Sequence, residues 1–187
     1  VRGRPPLILA SASPQRRAIL TRLGVSFDVR PSGVAELAHG EPEQVALENA
    51  LRKAHAVREP GRGELVLGVD TLVELDRRIY GKPPHERAAR ETLRALSGAT
   101  HTVISGLALV GEAGERTSLA RTDVRFRELS PAAIDWYLAT DEWRERAGAY
   151  AIQGAGAALV HEIRGDYENV VGLPVAALLD LFPDLLA

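Results

Sequence analysis

The chemistry this sequence can offer sits in a few short segments. Ser11-Ala12-Ser13-Pro14-Gln15-Arg16-Arg17 joins an apolar run to a helical pattern. A helix start presents free N–H groups and the positive end of the helix dipole, so the hydroxyls of Ser11 and Ser13 and the guanidiniums of Arg16 and Arg17 would suit a phosphate there. An ordinary capped helix with solvated arginines would use the same letters. Asp70 follows Leu65-Val66-Leu67-Gly68-Val69 and precedes Thr71, which places it at the C-terminal end of a buried strand, the side on which open α/β sheets bind ligands. A carboxylate at that point can hold a metal or take a proton from water, and a turn or capping aspartate fits the position as well. Glu36 stands in the loop after Phe27-Asp28-Val29, where solvated glutamates are common. Lys53 interrupts the apolar rhythm of its helix. Lys82 lies in Tyr80-Gly81-Lys82-Pro83, a constrained loop that can aim a cation at phosphate oxygens. Either could also be a surface lysine. The run from Gly148 to Gly156 is dense in small residues, which lets backbone approach a ligand or another backbone closely. Within it, Gln153 has one donor and one acceptor face for a base edge, or is a surface residue on a bend.

The elements needed to position these groups are legible in outline. Leu7 to Ala10 reads as a strand. A helix follows from Gln15 to Leu23, with Ser13 as N-cap, Pro14 as first helical residue and Gly24 as stop. A second helix covers Glu43 to about Arg58 with Leu47, Ala50, Leu51, Ala54 and Val57 on its apolar face. Leu65 to Val69 is a buried strand, and Thr71 to Leu75 runs extended to a turn at Asp76-Arg77-Arg78. A helix from about Glu86 to Leu96 precedes a strand pair, Val103 to Val110 and Ser118 to Phe126. Ser130-Pro131 caps another helix; the last third adds extended runs at Ala149 to Ile152 and Ala158 to Ile163 and a closing helix from Pro174 to Leu181. Strands and helices interleave without strict alternation, which predicts an α/β fold with a mixed sheet, as one domain over residues 1–187. Trp136, Tyr137 and Trp143 would either face a partner or pack, and packing is the expectation.

Composition narrows the function further. Lys plus Arg number 23 against 25 for Asp plus Glu, a net charge of −2, so an anion site must be local and nucleic acid is not an expected partner. Without cysteine there is no disulfide, thiolate metal site or cysteine nucleophile. The apolar run after Val1–Pro6 is shorter than a signal-peptide core, and no stretch approaches the roughly 20 apolar residues of a membrane span. A cytoplasmic protein with no membrane association is the expectation. There is no Walker A motif, Gly154-Ala155-Gly156 lacks the third glycine of a dinucleotide fingerprint, and neither His85-Glu86 nor His161-Glu162 has the second histidine of a zinc-protease helix. The five histidines read as surface or core residues.

Taken in order, Leu9-Ala10-Ser11-Ala12-Ser13-Pro14 with Arg16-Arg17, Lys53-Ala54, Gly68-Val69-Asp70-Thr71, Gly81-Lys82-Pro83, Ala147 to Gly154 and Val170-Val171-Gly172-Leu173-Pro174 resemble the Maf (septum formation protein) family over nearly the whole chain. The resemblance implies two lobes with an active cleft between them, a fold like that of inosine triphosphatases. It further implies hydrolysis between the α and β phosphates of a nucleoside triphosphate, a requirement for magnesium or manganese, and a homodimer. By position it makes Asp70 the catalytic carboxylate, places Glu36, Lys53 and Lys82 around the triphosphate, and puts Ser11 and Arg16 in the phosphate cradle. Asp70, alone or with Glu36, would hold the metal. Thr71 and Gln153 match the branch that resembles dTTP/UTP pyrophosphatases, whereas Gln15 stands where that branch has Arg, so the preference for pyrimidine triphosphates could be shifted or broadened. A nucleotide-binding regulator of septum formation acting through a partner is the competing expectation.

Overall fold

The computed structural model describes residues 5–186; Val1–Arg4 of the N-terminal segment read above, and Ala187, lie outside the described residues. β1 (Leu7–Leu9) leads through the Ser13 cap into α1 (Pro14–Arg22), and Gly24 ends that helix at φ 70°. β2 (Asp28–Val29) and a long loop precede α2 (Pro42–Val57). β3 (Leu65–Leu75) turns back as β4 (Arg78–Tyr80) through Asp76 and Arg77, both at positive φ as a tight hairpin turn requires. α3 (Glu86–Leu96) is followed by the long hairpin β5 (Thr100–Gly111) and β6 (Gly114–Phe126), then α4 (Pro131–Leu138), β7 (Val160–Arg164), α5 (Tyr167–Val171) and α6 (Val175–Leu181).

The strands form one seven-stranded mixed sheet in the order β2-β1-β3-β5-β6-β7, with β4 also on β3. β1 is parallel to β2 and β3, and the remaining pairs are antiparallel. The expected α/β class and mixed sheet are therefore observed. The elements differ from expectation in four places. Residues 149–152 are not a strand: Ala147–Ala149 is a short 3-10 turn, and the chain then runs irregularly to a second one at Ala155–Leu159. The β5–β6 hairpin is longer than the apolar runs suggested, because its far end is solvent-exposed on β6 and carries charge there. α5 was not anticipated. Tyr137 and Trp143 are buried as expected, but Trp136 is half exposed.

Alternation along β3 and β5 sorts the core. Even-numbered residues of β3 face α2: Val66 packs with Ala50, Ala54 and Val57, and Leu72 with Val45, Ala46 and Ile104. Here the helix lies unusually close. A Cβ on Gly68 would stand 2.0 Å from the Ala50 carbonyl oxygen and one on Gly106 2.4 Å from that of Ala46, so only glycine admits this contact. Odd-numbered residues face the other way and are divided between two cores. Leu67, Val69, Leu107 and Leu109 pack with α1 and α6, while Val73 and Val103 pack with α3 and α4. Between those cores the facing pair is Thr71 and Ser105, both polar. The apolar layer is thus interrupted at one row, and the two lobes part there.

Candidate functional site

Asp70 is not at a strand end. It lies in the middle of the eleven-residue β3, buried, but β1 covers the strand's edge only to Leu67 and β4 only from Val73. The edge of Gly68 to Leu72 is left as a notch, just past the C-terminal end of β1. The rule that ligands bind beyond strand ends therefore holds for β1, with its neighbour supplying the carboxylate.

On the α2 side of this notch the polar groups form one connected cluster. Lys53 Nζ donates to Asp70 Oδ1 and to Glu36 Oε1, each at 2.6 Å. Asn49, one turn earlier on α2, donates from Nδ2 to Asp70 Oδ2 at 3.0 Å and to the Leu37 carbonyl at 3.0 Å, and its Oδ1 accepts from the Leu37 N–H at 2.8 Å. Both oxygens of Asp70 are thereby engaged, and the loop carrying Glu36 is tied to the helix. Burial is the largest single influence on Glu36 and pushes its pKa up, yet the Lys53 hydrogen bond and the charges of Lys53, Lys82 and Arg16 together hold it below the ordinary carboxylate value.

On the opposite face, Arg16 is buried and anchored by three neutral oxygens. Nε donates to the Gly172 carbonyl at 2.9 Å, Nη1 to Ser11 Oγ at 2.9 Å and Nη2 to Thr71 Oγ1 at 3.2 Å, and Thr71 Oγ1 also pairs with Ser105 Oγ at 2.8 Å. Ser13 caps α1, its Oγ accepting from the Arg16 N–H at 3.4 Å and donating to Gln15 Oε1 at 3.1 Å. Gln15 is thus turned onto the cap. Burial lowers the Arg16 pKa, with Asp70 and Glu36 pulling it the other way.

These groups open onto a cleft of about 1000 Å³ between the lobes, a size suited to a small-molecule ligand. Lys82 and Gln153 line it as well, on the second lobe. They do not join the cluster: Lys82 is half exposed and pairs with Glu145 at 3.5 Å. Asn49, Ser105 and the Gly172 carbonyl escaped the sequence reading. For Asn49 there was a signal, a second polar residue four positions before Lys53, which at helical spacing shares its face. The buried stripe of α2 is Val45, Ala46, Asn49, Ala50, Lys53, Ala54 and Val57, rotated from the face expected through Leu47 and Leu51, because it includes the residues that reach Asp70.

Among the described residues there is no group of three or more His, Cys, Asp or Glu side chains that could hold a metal ion. Of the described carboxylates lining the cleft, Asp70 and Glu36 lie together on Lys53, and Glu145 stands apart on Lys82. The Asp70–Glu36 pair fits a cation such as magnesium, which keeps water and takes substrate phosphates to complete its shell. No helix among the described residues is long and apolar enough to cross a membrane.

The family model for Maf-like protein matches residues 6–185. Over 180 residues the chain is 47% identical to a dTTP/UTP pyrophosphatase of Gloeobacter violaceus, covering 95% of both chains. It is 46% identical over 174 residues to a protein of the same name from Bacillus cytotoxicus, covering 92% of this chain and 91% of that one, and 43% identical over 175 residues to one from Bacillus cereus, covering 92% of both.

Proposed function

The chain belongs to the Maf-like protein family, and from that premise we propose that it is a nucleoside triphosphate pyrophosphatase that removes dTTP, UTP or modified pyrimidine nucleotides as monophosphate and pyrophosphate. The observation that carries this reading is the buried Asp70–Lys53–Asn49 cluster, with Glu36, facing a nucleotide-sized cleft from one side while Arg16 faces it from the other.

A triphosphate brings about four negative charges, so its hydrolysis needs positioned cations more than covalent help. Lys53 and Lys82 supply ammonium charge, and Arg16, held by Gly172, Ser11 and Thr71, supplies a fixed guanidinium beside the α1 cap. Asp70 is the proton acceptor. Its carboxylate, oriented by Lys53 and Asn49, takes a proton from the attacking water as the water oxygen bonds to the α phosphorus and the bond from that phosphorus to the bridging oxygen breaks, releasing pyrophosphate. Asp70 and Glu36 would hold a divalent magnesium or manganese ion, which when bound neutralises phosphate charge and acidifies water. Thr71, Gln153 and Gln15 belong to nucleotide recognition, with Ser11 and Ser13 at the phosphate end. The setting implied is one domain acting as a cytoplasmic homodimer on free nucleotides.

The test is pyrophosphate release from a panel of canonical and modified nucleoside triphosphates with magnesium or manganese, repeated with Gln15→Arg. Release that favours dTTP and UTP in the wild type supports the reading and shows that Gln15 does not redirect it. A different preferred base restored toward pyrimidines by Gln15→Arg would assign the shift to that residue. Nucleotide binding without turnover would replace the enzyme with the regulator of septum formation.

A further inference from the structure

The cleft wall opposite Asp70 is built from backbone that no strand supports. Ala151 to Gly154 is a turn closed by the Gly154 N–H on the Ala151 carbonyl at 3.1 Å, with Ile152 buried and Gln153 exposed at its third position. In a sheet such donors would be met by a neighbouring strand; here side chains meet two of them, at Ala151 and just beyond the turn at Gly156. The Ala151 N–H donates to the Tyr137 hydroxyl at 2.9 Å, and the Gly156 N–H donates to Glu142 Oε2 at 3.4 Å. Tyr150, immediately before the turn, pairs through its hydroxyl with His101 Nε2 at 2.9 Å and meets Phe126 edge to face. Tyr137 is fully buried, in the same core as Ile152.

We propose that Tyr137 is a positioning residue for base selectivity: its hydroxyl pins Ala151, the first residue of the turn, and so fixes how far Gln153 projects into the cleft. The inference rests on the pyrophosphatase reading and adds to it a residue that touches no substrate. An amide side chain reads a base only if its donor and acceptor are held in register with a matching acceptor and donor, as on the N3–H and C4 carbonyl of uracil or thymine. Gln153 is on an exposed tip, so its register must come from the turn. Two anchors act on the turn's own residues, the packing of Ile152 and the hydrogen bond from Ala151 to Tyr137; the Tyr150–His101 pair lies before it and the Gly156–Glu142 bond after it. Replacing Tyr137 by Phe keeps the ring that fills the core and removes only the second anchor.

The experiment is a double-mutant cycle on the ratio of kcat/KM for dTTP to that for dCTP, comparing wild type, Tyr137→Phe, Gln153→Ala and the double variant. Urea unfolding midpoints, measured alongside, establish that each variant is folded. Loss of one positioning hydrogen bond is expected to lower the ratio about tenfold in Tyr137→Phe. The double variant should match Gln153→Ala, because without the Gln153 amide the turn has nothing left to aim. A uniform fall on both nucleotides with the ratio kept, or an equal fall in the ratio with and without Gln153, would overturn the inference alone, since either makes Tyr137 merely structural. A wild type that hydrolyses no nucleotide overturns the pyrophosphatase reading and this inference with it. If Tyr137→Phe is unfolded at the assay temperature, the cycle is run at a lower temperature at which its urea midpoint shows it folded, with the same outcomes.

Discussion

The two walls of the cleft are held by different means. On the first, Asp70 and Lys53 project from a long strand and a helix whose backbones satisfy themselves, and their charges are buried and paired. On the second, Gln153 sits on irregular backbone tied down by Tyr137, Glu142 and the His101–Tyr150 pair, and Lys82, in the loop after β4, meets the exposed Glu145. Two buried charges keep their geometry without a ligand because each is the other's solvent. Exposed charges keep no such geometry and exchange partners at little cost. The first wall is thus fixed before a nucleotide arrives, as bond-breaking chemistry requires, whereas on the second the turn is pinned and the exposed Lys82 is free to exchange its partner.

That contrast is broken most directly at Asp70. Asp70→Asn preserves shape: Asn49 can still donate to the amide oxygen, and Lys53 keeps Glu36. The proposed proton acceptor is lost, and turnover should fall on the order of a thousandfold, with a lower unfolding midpoint as well because Lys53 loses its buried counter-charge. Turnover near that of wild type would mean that the first wall is not where the reaction occurs.

Stability of the second wall should depend on pH through His101. Burial is the main cause of its low pKa, about 4, and the charge of Asp123 opposes it. The ordinary value is 6.5, so the unfolded chain takes up the proton first. The contribution is complete above about 6.5, is lost as pH falls from there toward about 4, and amounts to about 3 kcal/mol over that window. His101→Gln should flatten the slope of unfolding free energy against pH between those limits. A slope equal to that of wild type would show that His101 does not couple the second wall to pH.

The same division explains what could be seen in the sequence. Asp70, Lys53 and Arg16 were legible as chemical groups, since each breaks an apolar pattern or stands at a helix start. Their meeting was not, because it depends on the close contact of α2 with β3 and β5 that Gly68 and Gly106 permit, and a glycine in a strand does not say which helix will lie on it. The mid-strand position of Asp70 was hidden for a related reason: the break lies in β1 and β4, on the neighbouring edge. On the second wall, residues 149–152 have the apolar composition of a strand, and only the tertiary bonds to Tyr137 and His101 reveal why they are none.

Asn49 sharpens the comparison within the first wall. Asn49→Leu would strip one oxygen of Asp70 and both backbone groups of Leu37 of their partner. An unfolding free energy lower by about 2 kcal/mol is expected, together with a fall in kcat, because the loop bearing Glu36 is released as well. If stability drops while kcat holds, Asn49 supports the fold and not the alignment of Asp70.

The smallest effect is expected at the rim. Glu145 pairs with Lys82 across 3.5 Å with both side chains at least half exposed. A triphosphate that takes Lys82 must displace Glu145, so the pair opposes binding slightly. Glu145→Gln leaves a polar side chain of the same size and removes the competing charge. It should lower KM about twofold to fivefold while kcat is held, and the gain should shrink as salt is raised, since exposed pairs are screened. A fall in kcat of the size expected for Asp70→Asn would place Glu145 with the fixed wall and erase the distinction between the two sides of the cleft.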